Sequence, residues 1–469
     1  MKTASINSKE IISGYQNRLK PNAFLQEGKR IFNNLRKNKA IIGTMSNIVN
    51  GVHRPGIFKR VFIVNPSHGL PYLTAQAMMT ATPMQYSKIL SLKLTDNITP
   101  MILHRGDILV SCAGTVGNVR LIDKYMDGTV GSQDIIRVIT KDDYGFCYAY
   151  LASKPIYSYI QSQLYGSVVS RIEPDIVKNI PLIGFEEGIS SQIDGLIKET
   201  LELRENAISE LRKANQLLKV AAGLRDLTPE DYDYYGLNNS GRKVSCFVRR
   251  RKDIDTTTIN AFNHSERIRK TKASMPCKTV FLKEVLVDGN TFSTGSFPRV
   301  EVKEGNGIML INQKDIFDNI IKGKYISKRN VKVENLVEYG EVIIAGVGTL
   351  GETETLCRTV FANEDLAGQL VSGEFIRMKT NGKVPSGYLY AWLASDYGFR
   401  LLRNLQAGTK LCRPIPRLVL EIPVPIVDKE TMEEIDNLVK DAYTKRYLAN
   451  CNERKAISMV EQEIESWNK

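Results

Sequence analysis

The sequence predicts an α+β protein with two similar, β-rich domains, separated by two long antiparallel coiled-coil helices. Three observations predict this fold: a length of 469 residues, a repeat that covers nearly the whole chain, and a heptad pattern that closes each copy of the repeat. A chain of this length exceeds what one hydrophobic core normally organises. Its composition, 42% hydrophobic and 25% charged residues, is that of a folded protein.

The repeat is most regular in the second part of each copy. Leu151-Ala152-Ser153 reappears as Leu393-Ala394-Ser395, a shift of 393 − 151 = 242. The same shift pairs Gly166 with Gly408, Arg171 with Arg413 and Ile193-Asp194 with Ile435-Asp436. Upstream the shift becomes smaller, as insertions in loops would cause, with Gly106 matching Gly340, Arg60 matching Arg299, and Phe24 matching Phe262. We interpret this as a duplicated domain.

Each copy has the same predicted order of elements. Strands broken by glycine and proline turns come first, a short helix follows at 148–164 or 388–405, and a long helix ends the copy. Apolar residues recur in the long helices at the spacing of a coiled-coil seam. The seam residues are Ile193, Ile197, Thr200, Arg204, Ala207, Leu211, Ala214, Leu218 and Ala221 in the first helix, and Ile435, Val439, Ala442, Arg446, Ala449, Glu453, Ala456 and Val460 in the second. The alternative is that each long helix folds back onto its own domain.

These patterns predict six segments. They are an N-terminal arm (1–35), a first domain (36–184), a first spacer helix (185–225), a basic inter-half segment (226–275), a second domain (276–427) and a second spacer helix (428–469). The basic segment could lie along a phosphate backbone or form a solvated connector, and the sequence leaves both readings open.

The charge balance and the cysteines narrow the class of protein. Lys and Arg number 64 against 51 Asp and Glu, a formal charge of +13 that favours a polyanionic partner. No apolar run is long enough to span a membrane, and the N-terminus lacks the apolar stretch of a signal peptide. The seven cysteines include no C-x-x-C pair, which predicts reduced thiols, no metal site and a cytoplasmic protein.

One motif suggests a nucleotide site. Residues 346–351 satisfy G-x-G-x-x-G, but residues 352–357 alternate like a strand and do not open a helix that could bind a pyrophosphate. The first copy has Cys112 in place of the first glycine. We therefore interpret the motif in both copies as a strand, a tight glycine turn and a returning strand, with Thr115 or Thr349 at an edge that could approach phosphate.

A search for catalytic residues finds none. The chain lacks a phosphate loop, an H-E-x-x-H motif and the Asn-Pro-Pro-aromatic box of amino-methyltransferases. Only His264 of the four histidines lies in the second half, so no histidine is duplicated with the repeat. The trio Glu173, Asp175 and Lys178 loosely resembles a nuclease site, but it is replaced in the second half. The sequence predicts a non-catalytic protein without a cofactor.

The order of motifs resembles the specificity subunits of Type I restriction-modification systems. Residues 106–117, Ile136-Arg137-Val138, Tyr150-Leu151-Ala152-Ser153, 166–172 and Ile180-Pro181-Leu182 carry the resemblance, and 340–425 repeat it. It implies two target-recognition domains that read a bipartite site in double-stranded DNA. It also implies helices that dock two methyltransferase subunits, which supply S-adenosylmethionine binding, in a complex with a restriction/translocase subunit. Alternatives are a related methylation-linked phage-defence complex, an autonomous DNA enzyme and a protein-binding adaptor.

If the chain reads DNA as this resemblance implies, its domain loops need forked side chains that can form two hydrogen bonds to one base. The candidates for DNA binding are Arg54, Lys59, Arg60, Gln76, Gln133 and Arg171 in the first domain, and Arg299, Gln313, Lys314, Gln369, Lys410 and Arg413 in the second. Three pairs are assigned as common to both copies: Arg60/Arg299, Gln76/Gln313 and Arg171/Arg413. Because domains that read different half-sites should differ where they read bases, these pairs are expected to contact phosphate or to support the fold.

Overall fold

The structure is a computed structural model that describes residues 6, 8, 24–63, 65–166, 168–186, 188–228, 231, 247–254 and 257–468. The chain divides into two compact units, residues 1–205 with 448–469 and residues 206–447. Each long helix therefore contributes to both units. Most of the predicted N-terminal arm, and Arg242 and Lys243 of the basic inter-half segment, lie outside the described residues.

Ten α-helices lie in the described residues. Unit 1 contains α1 (Glu27–Lys37), α2 (Tyr144–Ala152), α3 (Lys154–Ser162) and α4 (Pro174–Lys178), and unit 2 contains α6 (Glu266–Ala273), α7 (Ser386–Ala394), α8 (Asp396–Arg403) and α9 (Pro416–Val419). The two long helices are α5 (Ile189–Ala221) and α10 (Lys429–Asn468). Among the described helices, none combines the length and the apolar character that a membrane crossing requires.

Unit 1 is built on two four-stranded sheets and one strand pair. Its strands are β1 (Ile41–Thr44), β2 (Val49–His53), β3 (Phe62–Ile63), β4 (Gly69–Leu73), β5 (Lys88–Ser91), β6 (Ile108–Ser111), β7 (Val119–Leu121), β8 (Val130–Gly131), β9 (Ile135–Thr140) and β10 (Pro181–Ile183). The sheet orders are β2-β9-β6-β7 and β3-β5-β4-β8, and β1 pairs with β10. All pairs are antiparallel except β4 with β8.

Unit 2 repeats this topology with matching strands of equal or shorter length. Its strands are β11 (Thr279–Phe281), β12 (Ile308–Ile311), β13 (Lys324–Ile326), β14 (Val342–Ala345), β15 (Thr359–Phe361), β16 (Leu370–Val371), β17 (Phe375–Met378), β18 (Gln406–Ala407), β19 (Arg413–Pro414) and β20 (Pro423–Pro425). The orders β17-β14-β15 and β13-β12-β16 match the two sheets of unit 1, β11 pairs with β20, and β12-β16 is the parallel pair. Isolated β-bridges at Phe292 and Glu301 occupy the places that the edge strands β2 and β3 have in unit 1.

The matching topologies confirm the α+β class and the prediction of two similar β-rich domains. The repeated Ile-Asp pair has a structural explanation. Asp194 in α5 accepts a hydrogen bond from the Gly145 N–H at 2.8 Å, and Asp436 in α10 accepts one from the Gly387 N–H at 2.7 Å. A Cβ on Gly145 would lie 2.5 Å from the Asp194 carbonyl oxygen. Each long helix therefore holds the start of a short helix, and glycine is required there.

The repeat includes a helix that precedes each β-rich core. In unit 1, α1 packs on α3, where the Phe32 and Tyr159 rings lie 4.9 Å apart, edge to face. In unit 2, α6 packs on α8, and Asn263 just before it donates hydrogen bonds to the carbonyl oxygens of Asn404 and Gln406. The described end of the N-terminal arm and the end of the basic inter-half segment are therefore corresponding elements of the two copies.

The long helices run antiparallel to each other within each unit. In unit 1, the Gly184 carbonyl oxygen just before α5 accepts a hydrogen bond from the Trp467 indole at 3.1 Å, and Arg204 contacts Asn450 at 2.9 Å. In unit 2, Glu210 binds Lys445, and Lys213 lies 3.3 Å from Glu434. Because residue numbers rise along one helix as they fall along the other, the predicted antiparallel pairing is confirmed in each unit.

The predicted seam is buried along almost its whole length. Ile193, Ala207 and Leu218 in α5 are essentially inaccessible to solvent, as are all apolar seam residues of α10. The prediction is wrong at the last residue of the first seam, because Ala221 is exposed and Ala222 is buried. Since α5 ends at Ala221, the strict heptad spacing no longer applies to the residue that turns back into the core.

Candidate nucleic-acid interface

Each unit presents a tight hairpin that follows α3 or α8. Tyr165 and Arg171 exchange backbone hydrogen bonds of 3.0 and 2.8 Å, and Ala407 pairs with Arg413 in the same way in unit 2. The turns begin with Gly166 (φ +93°) and Gly408 (φ +98°). A Cβ would lie 2.2 Å from the Val169 carbonyl oxygen in the first turn. Only glycine fits this position, which explains its presence in both copies.

A second loop lies against each hairpin. It is the glycine-rich turn after β6 or β14. The Gly114 N–H donates to the Ser170 carbonyl oxygen at 3.2 Å, and Gly348 exchanges two hydrogen bonds, of 3.1 and 2.7 Å, with Cys412. Thr115 and Thr349 are exposed beside these contacts. The predicted strand, glycine turn and returning strand are found in the first copy as the pair β6-β7, and in the second copy β14 pairs with the later strand β15.

The segment that follows the glycine-rich turn of the second copy differs from the prediction. Residues 352–357 form turns, and β15 begins only at Thr359. The Glu352 carboxylate accepts two hydrogen bonds of 3.0 Å from Arg400, and Arg358 donates to the Glu352 carbonyl oxygen at 2.7 Å. These bonds fold the segment into a compact loop in place of the expected strand. No helix follows Gly351, so the dinucleotide reading stays rejected.

In unit 1, a third element joins the two loops. Arg54 donates from Nε to the Gln133 carbonyl oxygen at 3.0 Å and from Nη1 to the Glu173 carboxylate at 3.0 and 3.1 Å. The Cys112 thiol beside them contacts the same Gln133 oxygen at 3.8 Å, and burial raises its pKa to about 11. Arg54 is therefore bound within the protein. Glu173, a member of the possible nuclease trio, is a partner of Arg54 and of the Tyr165 hydroxyl.

In unit 2, the corresponding junction is made by Gln313. Its amide nitrogen donates to the Val347 carbonyl oxygen, and its amide oxygen accepts from the Val347 N–H at 3.1 Å. The next residue, Lys314, is exposed. Because Val347 adjoins Gly348, which pairs with Cys412, three loops meet at this point. Lys314, Thr349, Lys410 and Arg413 are all exposed on them.

The twelve candidates for DNA binding fall into three groups. Lys59, Arg60, Gln76, Arg299, Lys314, Lys410 and Arg413 are exposed, Gln133 and Arg171 are half-buried, and Arg54, Gln313 and Gln369 bind groups of the protein itself. The structure brings together Arg54, Gln133 and Arg171 in unit 1, and Gln313, Lys314, Lys410 and Arg413 in unit 2. Lys59 and Arg60 precede the edge strand β3 of the second sheet in unit 1, and Arg299 precedes the Glu301 bridge at the same edge in unit 2.

Two of the three predicted pairs of equivalent residues agree with the strand registers. Val61 accepts from the Ser91 N–H at 2.8 Å and Val300 accepts from the Ser327 N–H at 2.9 Å, so Arg60 and Arg299, which precede them, correspond. The Tyr165-Arg171 and Ala407-Arg413 pairs likewise relate the two hairpin arginines.

The third pair, Gln76/Gln313, is wrong. Tyr72 pairs with Val130 as Leu310 pairs with Leu370, which gives a shift of 310 − 72 = 238. Gln76 therefore corresponds to Lys314 (314 − 76 = 238), and each immediately precedes a short 3₁₀ helix. Gln313 corresponds to Ala75. From the edge arginine to this position, the Gln76/Gln313 pairing assumes two residues more in unit 1 (76 − 60 = 16 against 313 − 299 = 14), whereas the strand register shows one more.

The sequence reasoning overlooked the apolar residues at the hairpin tips. Val168 is 94% exposed, Val169 is 45% exposed and Leu411 is 58% exposed. Their position between a repeated glycine and a repeated arginine was the available signal.

The basic inter-half segment contributes to a cleft within unit 2. Arg249, Arg250, Arg269 and Lys272 line it together with apolar residues of α8 and α9, and its volume is about 720 Å³. Arg250 is paired with Asp253 at 2.8 Å.

Comparisons with known proteins give matches among solved structures. No protein-family model and no curated protein matches the sequence. The S subunit of a Type I restriction-modification system from M. genitalium is 15% identical, over 91% of this chain and 94% of that chain, with a TM-score of 0.32. The HsdS subunit from Thermoanaerobacter tengcongensis is 13% identical, over 90% and 94% of the two chains, with a TM-score of 0.27.

A third solved structure concerns complex assembly and conformational transition of the type I R-M system. It is 13% identical, over 89% of this chain and 98% of that chain, with a TM-score of 0.28. Type I restriction-modification is the family that the sequence resembles.

Proposed function

We propose that this chain is the DNA-recognition subunit of a Type I restriction-modification complex and that its two units read the two halves of a bipartite site. One observation carries the proposal: in each unit of the duplicated fold, a glycine-turn hairpin and a second glycine-rich loop are hydrogen-bonded together beside a basic side chain. Arg171 occupies this place in unit 1 and Arg413 in unit 2. A duplicated reader suits a site with two separated parts.

The candidate residues divide by role in this proposal. Arg60/Arg299 and Arg171/Arg413 are the same in both units, so we assign them to phosphate, whose contacts position the protein without reading sequence. Gln76 and Lys314 occupy one structural position but differ in chemistry, and both are exposed. We assign that position to bases, because glutamine suits adenine and lysine suits the acceptors of guanine. Arg54, Gln313 and Gln369 then support the loops.

The long helices take the role of spacer and docking surface. In this proposal they hold two methyltransferase subunits and, through the complex, a restriction/translocase subunit. S-adenosylmethionine binding and DNA cleavage belong to those partners, and this chain is non-catalytic. The complex would act in the cytoplasm, where its DNA substrate is found.

A DNA selection tests the proposal. The full chain, assembled with the methyltransferase subunits of its host, is incubated with a pool of random duplexes, and the retained duplexes are sequenced. We expect two short specified motifs separated by an unspecified gap, and an affinity that falls steeply with salt. Retention without any sequence preference, or retention independent of salt, would contradict the proposal.

The matched control is the double variant Arg60→Ala/Arg299→Ala. Since both side chains are exposed and are assigned to phosphate, their loss should weaken retention of all sequences alike. The slope of log affinity against log salt should fall by about 2, close to one unit per phosphate contact. The selected motifs should stay the same.

A further inference from the structure

The two hairpin turns share their closing backbone pair and their first glycine but differ at the tip. In each turn a glycine with positive φ begins the loop, an arginine ends it, and the residue before the arginine contacts the glycine-rich loop. The hairpin shift of 413 − 171 = 242 places Val168 on Lys410. One apolar side chain and one cation therefore occupy equivalent positions.

The neighbouring positions are more alike. Val169 corresponds to Leu411, and both are partly exposed apolar residues, at 45% and 58%. Ser170 corresponds to Cys412, and both accept a backbone hydrogen bond from a glycine of the adjoining loop. Because the surrounding hairpin is retained, the change from valine to lysine alters the chemistry offered to a ligand and leaves the scaffold in place.

Val168 is unusually placed for an apolar residue. It is 94% exposed, although two hydrogen bonds between Tyr165 and Arg171 close the hairpin and one from Gly114 to Ser170 joins it to the adjoining loop. An isolated exposed apolar side chain is common on protein surfaces. An exposed valine on a closed hairpin, at the very position where the other copy has a cation, is placed where it can contact a ligand.

The geometry points to positions 168 and 410 as specificity-determining residues for DNA. We propose that Val168 contacts the C5-methyl group of a thymine in one half-site, and that Lys410 binds the O6 and N7 acceptors of a guanine in the other half-site. These are the major-groove features that apolar and cationic side chains read. The inference rests on the proposed function and adds to it the loop and the base class that each unit reads.

Reciprocal substitutions test the inference in the assembled complex. Val168→Lys should shift the preference at one position of one half-site from an A·T to a G·C pair, and Lys410→Val should make the opposite change in the other half. A good base contact discriminates by about 5- to 140-fold, so a change of this size is expected in the selected duplexes. Thermal unfolding should stay close to wild type, because the tip of the hairpin carries little packing.

Matched controls make the same chemical changes elsewhere on exposed sites. Val333 is 84% exposed and Lys303 is also exposed, so Val333→Lys and Lys303→Val should leave both motifs as in the wild type. They separate a general effect of added or removed charge from an effect of the hairpin.

The outcomes distinguish the inference from the function on which it rests. If the wild-type complex selects no bipartite motif, the proposed function fails. If the wild type selects one but both hairpin variants keep its bases, the function stands and the inference is overturned. A loss of affinity that is equal for all sequences in Val168→Lys would also overturn it, because a wedge or phosphate contact would then account for the residue.

Discussion

The Arg204 guanidinium on one long helix is bound by the Glu453 carboxylate on the other, inside unit 1. Glu453 is fully buried and also accepts from the Tyr148 hydroxyl, while Arg204 contacts Asn450 at 2.9 Å. Burial raises the pKa of Tyr148 well above its usual range, so the hydroxyl stays a donor. The network ties the helix pair to α2, and the seam residues Arg204 and Glu453 pair with each other.

Removing one member of this network should destabilise unit 1. Glu453→Leu leaves Arg204 buried without its partner, and such changes destabilise by about 3–5 kcal/mol. Urea unfolding of the full chain should therefore show a lower midpoint for the transition of unit 1. The triple variant Tyr148→Phe/Arg204→Leu/Glu453→Leu, which removes all three polar groups, should be more stable than Glu453→Leu alone.

The exposed pair of the same helices provides the control. Lys213 and Glu434 lie 3.3 Å apart with more than half of each side chain exposed to solvent. Lys213→Ala should change stability by less than about 1 kcal/mol. A loss as large as that of Glu453→Leu would show that general helix pairing, and not the buried network, sets the effect.

Substitutions of Arg54 and Arg171 should distinguish a residue that supports the loops from one that contacts DNA. Arg54→Ala removes a guanidinium that binds both Glu173 and the Gln133 carbonyl oxygen, so unfolding should become easier by about 1–3 kcal/mol. Arg171→Ala should unfold like the wild type but bind all DNA sequences more weakly, with a salt slope lower by about 1. Urea unfolding and DNA titration at several salt concentrations measure the two effects, and reversed results would contradict the assignment.

The Cys112 thiol should make stability depend on pH in the alkaline range. Burial raises its pKa to about 11 in the folded chain, so the unfolded chain releases the proton first as pH rises. This favours unfolding between the ordinary thiol range and about pH 11 and has no effect at neutral pH. Between pH 8 and pH 10.5, wild type should lose about 1–2 kcal/mol more stability than Cys112→Ala. Equal losses in urea unfolding would refute this.

The helices should act as a ruler for the gap in the DNA site. Because Glu210 binds Lys445 and Lys213 contacts Glu434, a heptad inserted in one helix alone would shift one side of these pairs. Inserting one heptad after Leu211 and one after Ala442 adds roughly 10 Å to each helix. At about 3.4 Å per base-pair step, the gap should change by some three pairs if the helices follow the duplex. Methylation mapping should show unchanged half-site bases, and an unchanged gap at full activity would exclude the ruler.

Because the chain is duplicated, most of its fold could be predicted from the sequence. The hairpin arginines and the Ile-Asp pair kept a constant shift because each has a fixed structural partner, and the seam residues kept heptad spacing because they pack on another helix. The Gln76/Gln313 assignment failed where one additional residue lies in a loop, since only strand register reveals which residues correspond. Residues 352–357 alternate like a strand, but the contacts of Arg358 and Arg400 with Glu352 fold them into turns.

The candidate interface was less predictable. Residue type identified Arg54 and Gln313 as possible DNA contacts, but partners far away in sequence, Glu173 and Val347, bind them within the protein. The repeated glycine and arginine around Val168 marked it as a loop residue, but only the structure gives its 94% exposure. Sequence indicated the loops, and tertiary contacts decide which of their side chains are free to meet a ligand.

The most direct test of the proposed DNA recognition is a map of methylated bases in the host genome, with and without the gene for this chain. The account predicts a bipartite motif, two short specified halves with a fixed unspecified gap, that is methylated in the wild type and unmethylated in the deletion strain. Restoring the gene with Val168→Lys should restore a motif altered in one half only. A methylation map that is identical with and without the gene would contradict the account.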